Sequence, residues 1–163
     1  MRRKFGKILN DLALKDKKII LLVGDIGYGI FDDFRTNHPK RFFNMGICEQ
    51  SLIGTAAGMA LEGLKPWVYT ITPFLIERPF EQIKLDIDQQ NVNVKLVGYA
   101  DYPNLGPTHR EINAKKLMSL FKNIKSYYPK NSLETATYIH NIYKQKGPSF
   151  ISLKNDKSII KKF

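Results

Sequence analysis

The chain has 163 residues, with 26 Lys or Arg against 15 Asp or Glu, a formal net charge of +11 and 43% hydrophobic residues. That length fits one domain, residues 1–163, able to bury roughly two-thirds of the surface its unfolded form exposes; the single Cys48 excludes an internal disulfide, and no apolar run reaches the ~20 residues that span a bilayer, so no membrane partner is expected and the natural compartment is the reducing cytoplasm. The positive charge brings nucleic acid into view, but the lysines are scattered over both termini and several helical stretches, without an aromatic-interleaved basic stripe or a recognition helix, so compositional bias, an acidic partner or a phosphorylated substrate accounts for it instead.

Residues 2–16 predict an amphipathic helix, with Phe5, Ile8, Leu9 and Leu12 at helical spacing. Asn10, Asp11, Lys15 and Asp16 break the apolar run that a signal peptide needs. The unbroken apolar stretch after Lys18 reads as a strand covered on both faces, as in a parallel sheet. A brief helix around 31–35, a short strand at 42–44, a helix over 48–62 and a strand at 66–72 follow. A helix over 77–90, a strand at 93–98, a helix over 111–121, a strand at 124–128, a helix over 132–146 and a strand at 149–153 complete the chain. This alternation predicts an α/β fold, a three-layer α/β/α sandwich on a mostly parallel sheet. Ligands of such sheets gather at the carboxyl ends of the strands, where Gly24-Asp25, Thr70 to Phe74 and Gly98 to Ala100 lie.

One carboxylate stands out. Glu49 opens a helix whose residues 51–61 include no ionisable side chain, so that helix is expected to be packed on nearly all sides and Glu49 to be partly buried. A carboxylate in a first helical turn is also stabilised by the backbone dipole without any further role. The neighbouring Cys48 has no base placed beside it and reads as an inert packed thiol.

Four stretches then stand in a telling order: Gly46-Ile-Cys-Glu-Gln50, the small-residue helix after it, the segment from Gly63 through Pro66-Trp-Val-Tyr-Thr-Ile-Thr-Pro-Phe74, and Gly106-Pro-Thr-His109. From about Asp25 to about Leu153 the chain resembles the pyrimidine-binding domain of the transketolase family, enzymes that depend on thiamine diphosphate. The resemblance implies that Glu49 hydrogen-bonds the N1′ nitrogen of the cofactor's aminopyrimidine, for which a buried carboxyl group is suited. It implies that an aromatic ring stacks on the aminopyrimidine, worth roughly 0.5–1.5 kcal/mol beyond area burial; Phe74 is the candidate, with Leu75 or Phe80 as alternatives of register. Asp25 is placed near the thiazolium. His109 is placed at the substrate oxygen or in proton movement, to which imidazole is suited in either direction. Arg78 and Lys154 are possible anion contacts of the substrate.

The chain also departs from the family. Ile26 stands where a Gly-Asp-Gly diphosphate motif has its second glycine, so Asp25 is not part of such a motif. Leu105 stands four residues before His109, where sugar-transferring relatives have an aspartate, and an upstream histidine has no counterpart near Ala100-Asp101. The donor is therefore expected to be less hydroxylated than an ordinary sugar phosphate. The diphosphate-binding and carboxyl-terminal domains of the family are not expected within these residues, and the magnesium ion (Mg2+) that accompanies the diphosphate is expected to take its ligands from another chain. The resemblance thus implies the pyrimidine-side subunit of a split transketolase-like enzyme, paired as α2β2 with a separate subunit that carries the diphosphate-binding domain. It would transfer a ketol or acyl-anion unit to an aldehyde or ketone acceptor. A 1-deoxyxylulose 5-phosphate synthase-like activity and a non-catalytic binding or regulatory subunit are the alternatives.

Overall fold

A computed structural model describes residues 1–101, 105–110 and 113–156. The elements run α1 (Arg2–Lys15), β1 (Ile19–Val23), α2 (Asp32–Asn37), β2 (Phe42–Asn44), α3 (Glu49–Leu61), β3 (Lys65–Ile71), α4 (Thr72–Ile76), α5 (Phe80–Gln82), β4 (Lys95–Tyr99), α6 (Ala114–Met118), β5 (Lys125–Tyr127), α7 (Ser132–Lys144) and β6 (Ser149–Leu153). The strands form a six-stranded sheet in the order β2-β1-β3-β4-β6-β5, and every pairing is parallel.

The continuous apolar run of β1 serves two cores because successive side chains of a strand point to opposite faces. Ile20 and Leu22 join a core with Leu52, Ile53, Val68, Ile83, Leu96 and Phe150, under α3, α4, the helical stretch at 83–89 and α6. Ile19, Leu21 and Val23 join the other, with Phe5, Leu9, Phe34, Trp67 and Ile139, under α1, α2 and α7. The three-layer expectation is met, and α6 and α7 are each opened by an asparagine, Asn113 and Asn131, whose side chain accepts a backbone N–H from the first turn.

Two helical expectations change. The predicted helix over 77–90 begins earlier and is broken: α4 starts at Thr72, residues 77–79 form a turn in which Pro79 is non-helical, and α5 leads into a π-helical stretch at Ile83–Gln89. Pro73 suits the first helical turn, where its missing N–H costs nothing, whereas Pro79 cannot donate to the turn before it and separates α4 from α5. Phe74 is therefore a helical residue and not the end of a strand. The predicted helix over 111–121 appears as α6 from Ala114, residues 111 and 112 lying outside the described ones.

The start of α4 presses directly on β4. A Cβ on Gly98 would come within 2.4 Å of Thr72 Oγ1 and 3.1 Å of the Thr72 Cα, so only glycine lets α4, and Phe74 with it, lie this close to the sheet.

At the opposite, amino-terminal rim Lys95 is only 2% exposed. Its ammonium group donates to the carbonyls of Gln145 (3.0 Å) and Gly147 (2.7 Å), tying the turn before β6 to the sheet. Burial, and secondarily the charge of Lys65, pushes the Lys95 pKa down from 10.5 to about 7. The unfolded chain thus keeps a proton that the folded chain releases. The cost of burying the charge is full below about pH 7 and is relieved as pH rises toward the unfolded value, so this group makes stability increase with pH across that window. Urea midpoints at about pH 6.5 and about pH 9 should therefore rise more in the native chain than in Lys95→Met.

Candidate active site

Because all six strands run parallel, their carboxyl ends share one rim, and the loops leaving them bring together residues far apart in sequence. After β2 the chain turns through Met45, whose N–H donates to Val23 O (2.9 Å), and Cys48, whose thiol donates to Met45 O (2.7 Å). This turn delivers Glu49 as the first residue of α3, 3% exposed. The thiol is spent on a backbone carbonyl, in line with an inert Cys48.

The neighbours of Glu49 come from the segment after β3. Arg78, in the break between α4 and α5, donates from Nη1 to Glu49 Oε1 at 3.0 Å, and its own carbonyl accepts from Gln50 Nε2 at 3.3 Å. The Arg78 guanidinium carbon lies 3.5 Å from the centroid of the Phe74 ring. On that ring sits His109, edge to face, with centroids 4.8 Å apart and an interplanar angle of 64°. A hydrogen bond of 3.1 Å links His109 Nδ1 to the hydroxyl of Thr108. Glu49, Arg78, Phe74 and His109 are thus one continuous group assembled from three segments of the chain: the start of α3, α4 with the break after it, and the turn at 107–109.

The three residues that register leaves as alternatives sit in different surroundings, and of the three Phe74 is the one that packs against Arg78 and His109. Leu75 is fully buried in the core under α3, and Phe80 packs against Phe121 with centroids 5.1 Å apart. Arg78, expected as a contact for a substrate anion, has the carboxylate of Glu49 as its anion in this structure.

Asp25 and Lys154 lie on the same rim outside that group. Asp25 adopts a positive φ of 50° just after β1, and its carboxylate accepts from Tyr28 Oη (3.3 Å) and Asn44 Nδ2 (3.0 Å). Lys154 follows β6, with β4 between it and the strand that leads to Phe74, and lines a depression with Lys115, Lys130, Tyr128 and Asn155. Leu105 is exposed on the segment that leads to His109.

Asn44 escaped the sequence reading. Its side-chain oxygen accepts the backbone N–H of Asp25 (3.1 Å) and of Gly46 (3.1 Å), so one amide fixes both the loop after β1 and the approach to Glu49. The available signal was a polar residue ending the aromatic strand Phe42-Phe43-Asn44 at the ligand-binding rim.

The face of α3 corrects an expectation. Leu52, Ile53, Ala56 and Ala57 are buried, but Ser51, Gly58 and Leu61 are exposed, and a Cβ built on Gly54 or Gly58 meets no atom within 4 Å. The absence of charge on this helix does not reflect packing on all sides within the chain. Mid-helix glycine costs about 1 kcal/mol relative to alanine, and no neighbour among the described residues accounts for it here.

The described residues and their arrangement define a parallel α/β domain with a buried carboxylate and an aromatic face at its carboxyl rim. Residues 1–158 match the family model described as transketolase, pyrimidine binding domain, and the chain belongs to that family. It is 40% identical over 123 residues to one subunit of the apulose-4-phosphate transketolase of Actinobacillus succinogenes, covering 74% of this chain and 40% of that protein. It is 30% identical over 163 residues to 1-deoxy-D-xylulose-5-phosphate synthase of Clostridium botulinum, covering 97% of this chain and 26% of that one. Among solved structures it resembles one described as a split gene transketolase, inactive beta4 tetramer, with a TM-score of 0.83, 31% identity and coverage of 95% of this chain and 51% of the other. The chain therefore spans about half or less of the length of each of these relatives.

Asn44→Ala should leave the sheet intact while freeing two backbone N–H groups, at a cost of about 0.5–1.5 kcal/mol. Amide hydrogen exchange should accelerate at Asp25 and Gly46 and stay slow in β3 and β4.

Proposed function

We propose that this chain is the pyrimidine-side subunit of a split thiamine diphosphate-dependent transketolase-like enzyme, which transfers a ketol or acyl-anion unit to an aldehyde or ketone acceptor. The placement of Glu49 carries the proposal: a carboxylate 3% exposed in the first turn of a helix, at the carboxyl rim of a parallel sheet, grouped with an aromatic ring and an imidazole. These residues fit the aminopyrimidine half of the cofactor. Glu49 suits a ring nitrogen, and Phe74 suits the ring face. When bound, thiamine diphosphate supplies a thiazolium carbon nucleophile for cleavage and formation of carbon–carbon bonds.

On this reading Glu49 would share a proton with N1′, Phe74 would hold the plane of the ring, and His109 would give or take a proton at the substrate oxygen. Asp25 would lie on the thiazolium side, and Lys154 would meet an anionic group of the substrate. Magnesium and the diphosphate are assigned to a partner subunit, as the resemblance to the family implies. The outward face of α3 supports a partner close to Glu49: Gly54 and Gly58 leave room for backbone approach, and Leu61 (63% exposed) and Ile47 (71%) flank them. An α2β2 assembly is the expected minimum. No described helix is long and apolar enough to cross a membrane, and a cytoplasmic enzyme is the compartment that suits the free thiol. Similarity along nearly the whole chain to a 1-deoxy-D-xylulose-5-phosphate synthase favours that type of activity as the second reading.

Calorimetric titration of thiamine diphosphate with magnesium should give binding to this chain mixed with the transketolase-like chain encoded nearest to it, and none to this chain alone. Glu49→Gln should abolish exchange of the cofactor C2 proton, a loss of at least about a hundredfold, with an unchanged circular dichroism spectrum. Near-native exchange in that variant overturns the catalytic assignment, and absence of binding in the mixture points to a non-catalytic subunit.

A further inference from the structure

The contacts that Arg78 makes are those that an aminopyrimidine ring needs. Its guanidinium is flat, lies 3.5 Å from the centroid of Phe74 and directs an N–H in its own plane to Glu49 Oε1 at 3.0 Å. A ring nitrogen bonded to Glu49, with the ring face resting on Phe74, uses the same carboxylate and the same aromatic surface. The two occupants exclude one another.

We propose that Arg78 is a displaceable stand-in for the aminopyrimidine, a positioning residue that pairs with Glu49 while the ring is absent and leaves when the ring arrives. This inference rests on the thiamine diphosphate reading above. A carboxylate buried to this degree is costly without a partner, so the cofactor-free chain needs a counter-ion for Glu49. Arginine is suited to the task because it stacks and donates in one plane, where lysine offers a point charge with neither property.

Its location also suits departure. Arg78 lies between two short helices, in the break made by Pro79, and its side chain is 34% exposed against 3% for Glu49. The guanidinium therefore covers Glu49 from the solvent side and can be rehydrated by rotation of its own stem, without movement of α3 or the sheet. While it is in place, it holds Glu49 and Phe74 in the arrangement that the ring will use. Its cost to the cofactor is competition: a site closed nine-tenths of the time binds about tenfold more weakly than its open form.

The test uses the complex of this chain with its diphosphate-side subunit, and thiamine diphosphate with magnesium as the probe. In the cofactor-free complex the Arg78 Nε–Hε resonance should carry the ring-current shift of Phe74, and saturation with cofactor should move it to the position of a solvated arginine. By calorimetry Arg78→Met should bind the cofactor about tenfold more tightly, and Arg78→Lys, which keeps the charge without the stack, should fall between. If Arg78→Met does not fold, the resonance and Arg78→Lys decide the matter, since neither removes the counter-ion. A resonance unmoved at saturation, or variants that bind no more tightly than the native chain, overturn the exchange and leave the cofactor reading standing. No binding by the native complex overturns both.

Discussion

A carboxylate withdrawn from water must be paired, and the rim of this sheet is organised around meeting that demand at Glu49. The residue is held out of solvent because α3 starts immediately after a tight turn from β2, with Leu52 and Ile53 in the core one turn further on. Its partner, Arg78, reaches it only because the chain after β3 is broken. A continuous helix through this segment would carry residue 78 through regular turns, whereas Pro79 leaves it in a bend facing α3. Phe74 then lies under the guanidinium because Gly98 admits the start of α4 against β4. Ion pair, cation–π contact and ring pair form one chain of interactions, in which Pro79 sets the place of Arg78 and Gly98 that of Phe74.

The fold was legible in the sequence where the apolar pattern had no competitor. The run Ile19–Val23 needs cover on both faces and finds it, and the short strand at 42–44 and the strand at 149–153 occupy the residues their patterns mark. Periodicity failed over 77–90, where the apolar residues suit a helix of ordinary pitch but helix starts already at Thr72 beside Pro73, breaks before Pro79 and continues as a π-helical run. Glu49 is buried as expected, but not for the reason the sequence offered: the uncharged helix after it leaves its outer face open, and the burial comes from the turn after β2 and the segment around Arg78. The pairing of Glu49 with Arg78 was not legible: the two are 29 residues apart, and their contact depends on the break at Pro79. Asn44 was missed for a related reason, since its amide serves two loops that sequence does not show to be adjacent.

The outward face of α3 connects the site to assembly. A helix that carries Gly54 and Gly58 without a neighbour among the described residues forgoes stability in isolation, and the same helix begins with Glu49. A partner seated there would close the rim over Glu49 and Phe74, exclude water from the site and strengthen every polar contact within it. On the proposed assembly, burial of the carboxylate and exposure of the small-residue face would be two aspects of one shared site.

The most direct test of this account is a crystal structure of the reconstituted complex with thiamine diphosphate and magnesium. The account predicts the aminopyrimidine N1′ within hydrogen-bond distance of the Glu49 carboxylate, the ring face on Phe74, and the diphosphate and metal held by the other subunit. A cofactor bound with its aminopyrimidine away from Glu49, or with its diphosphate held by this chain, contradicts it.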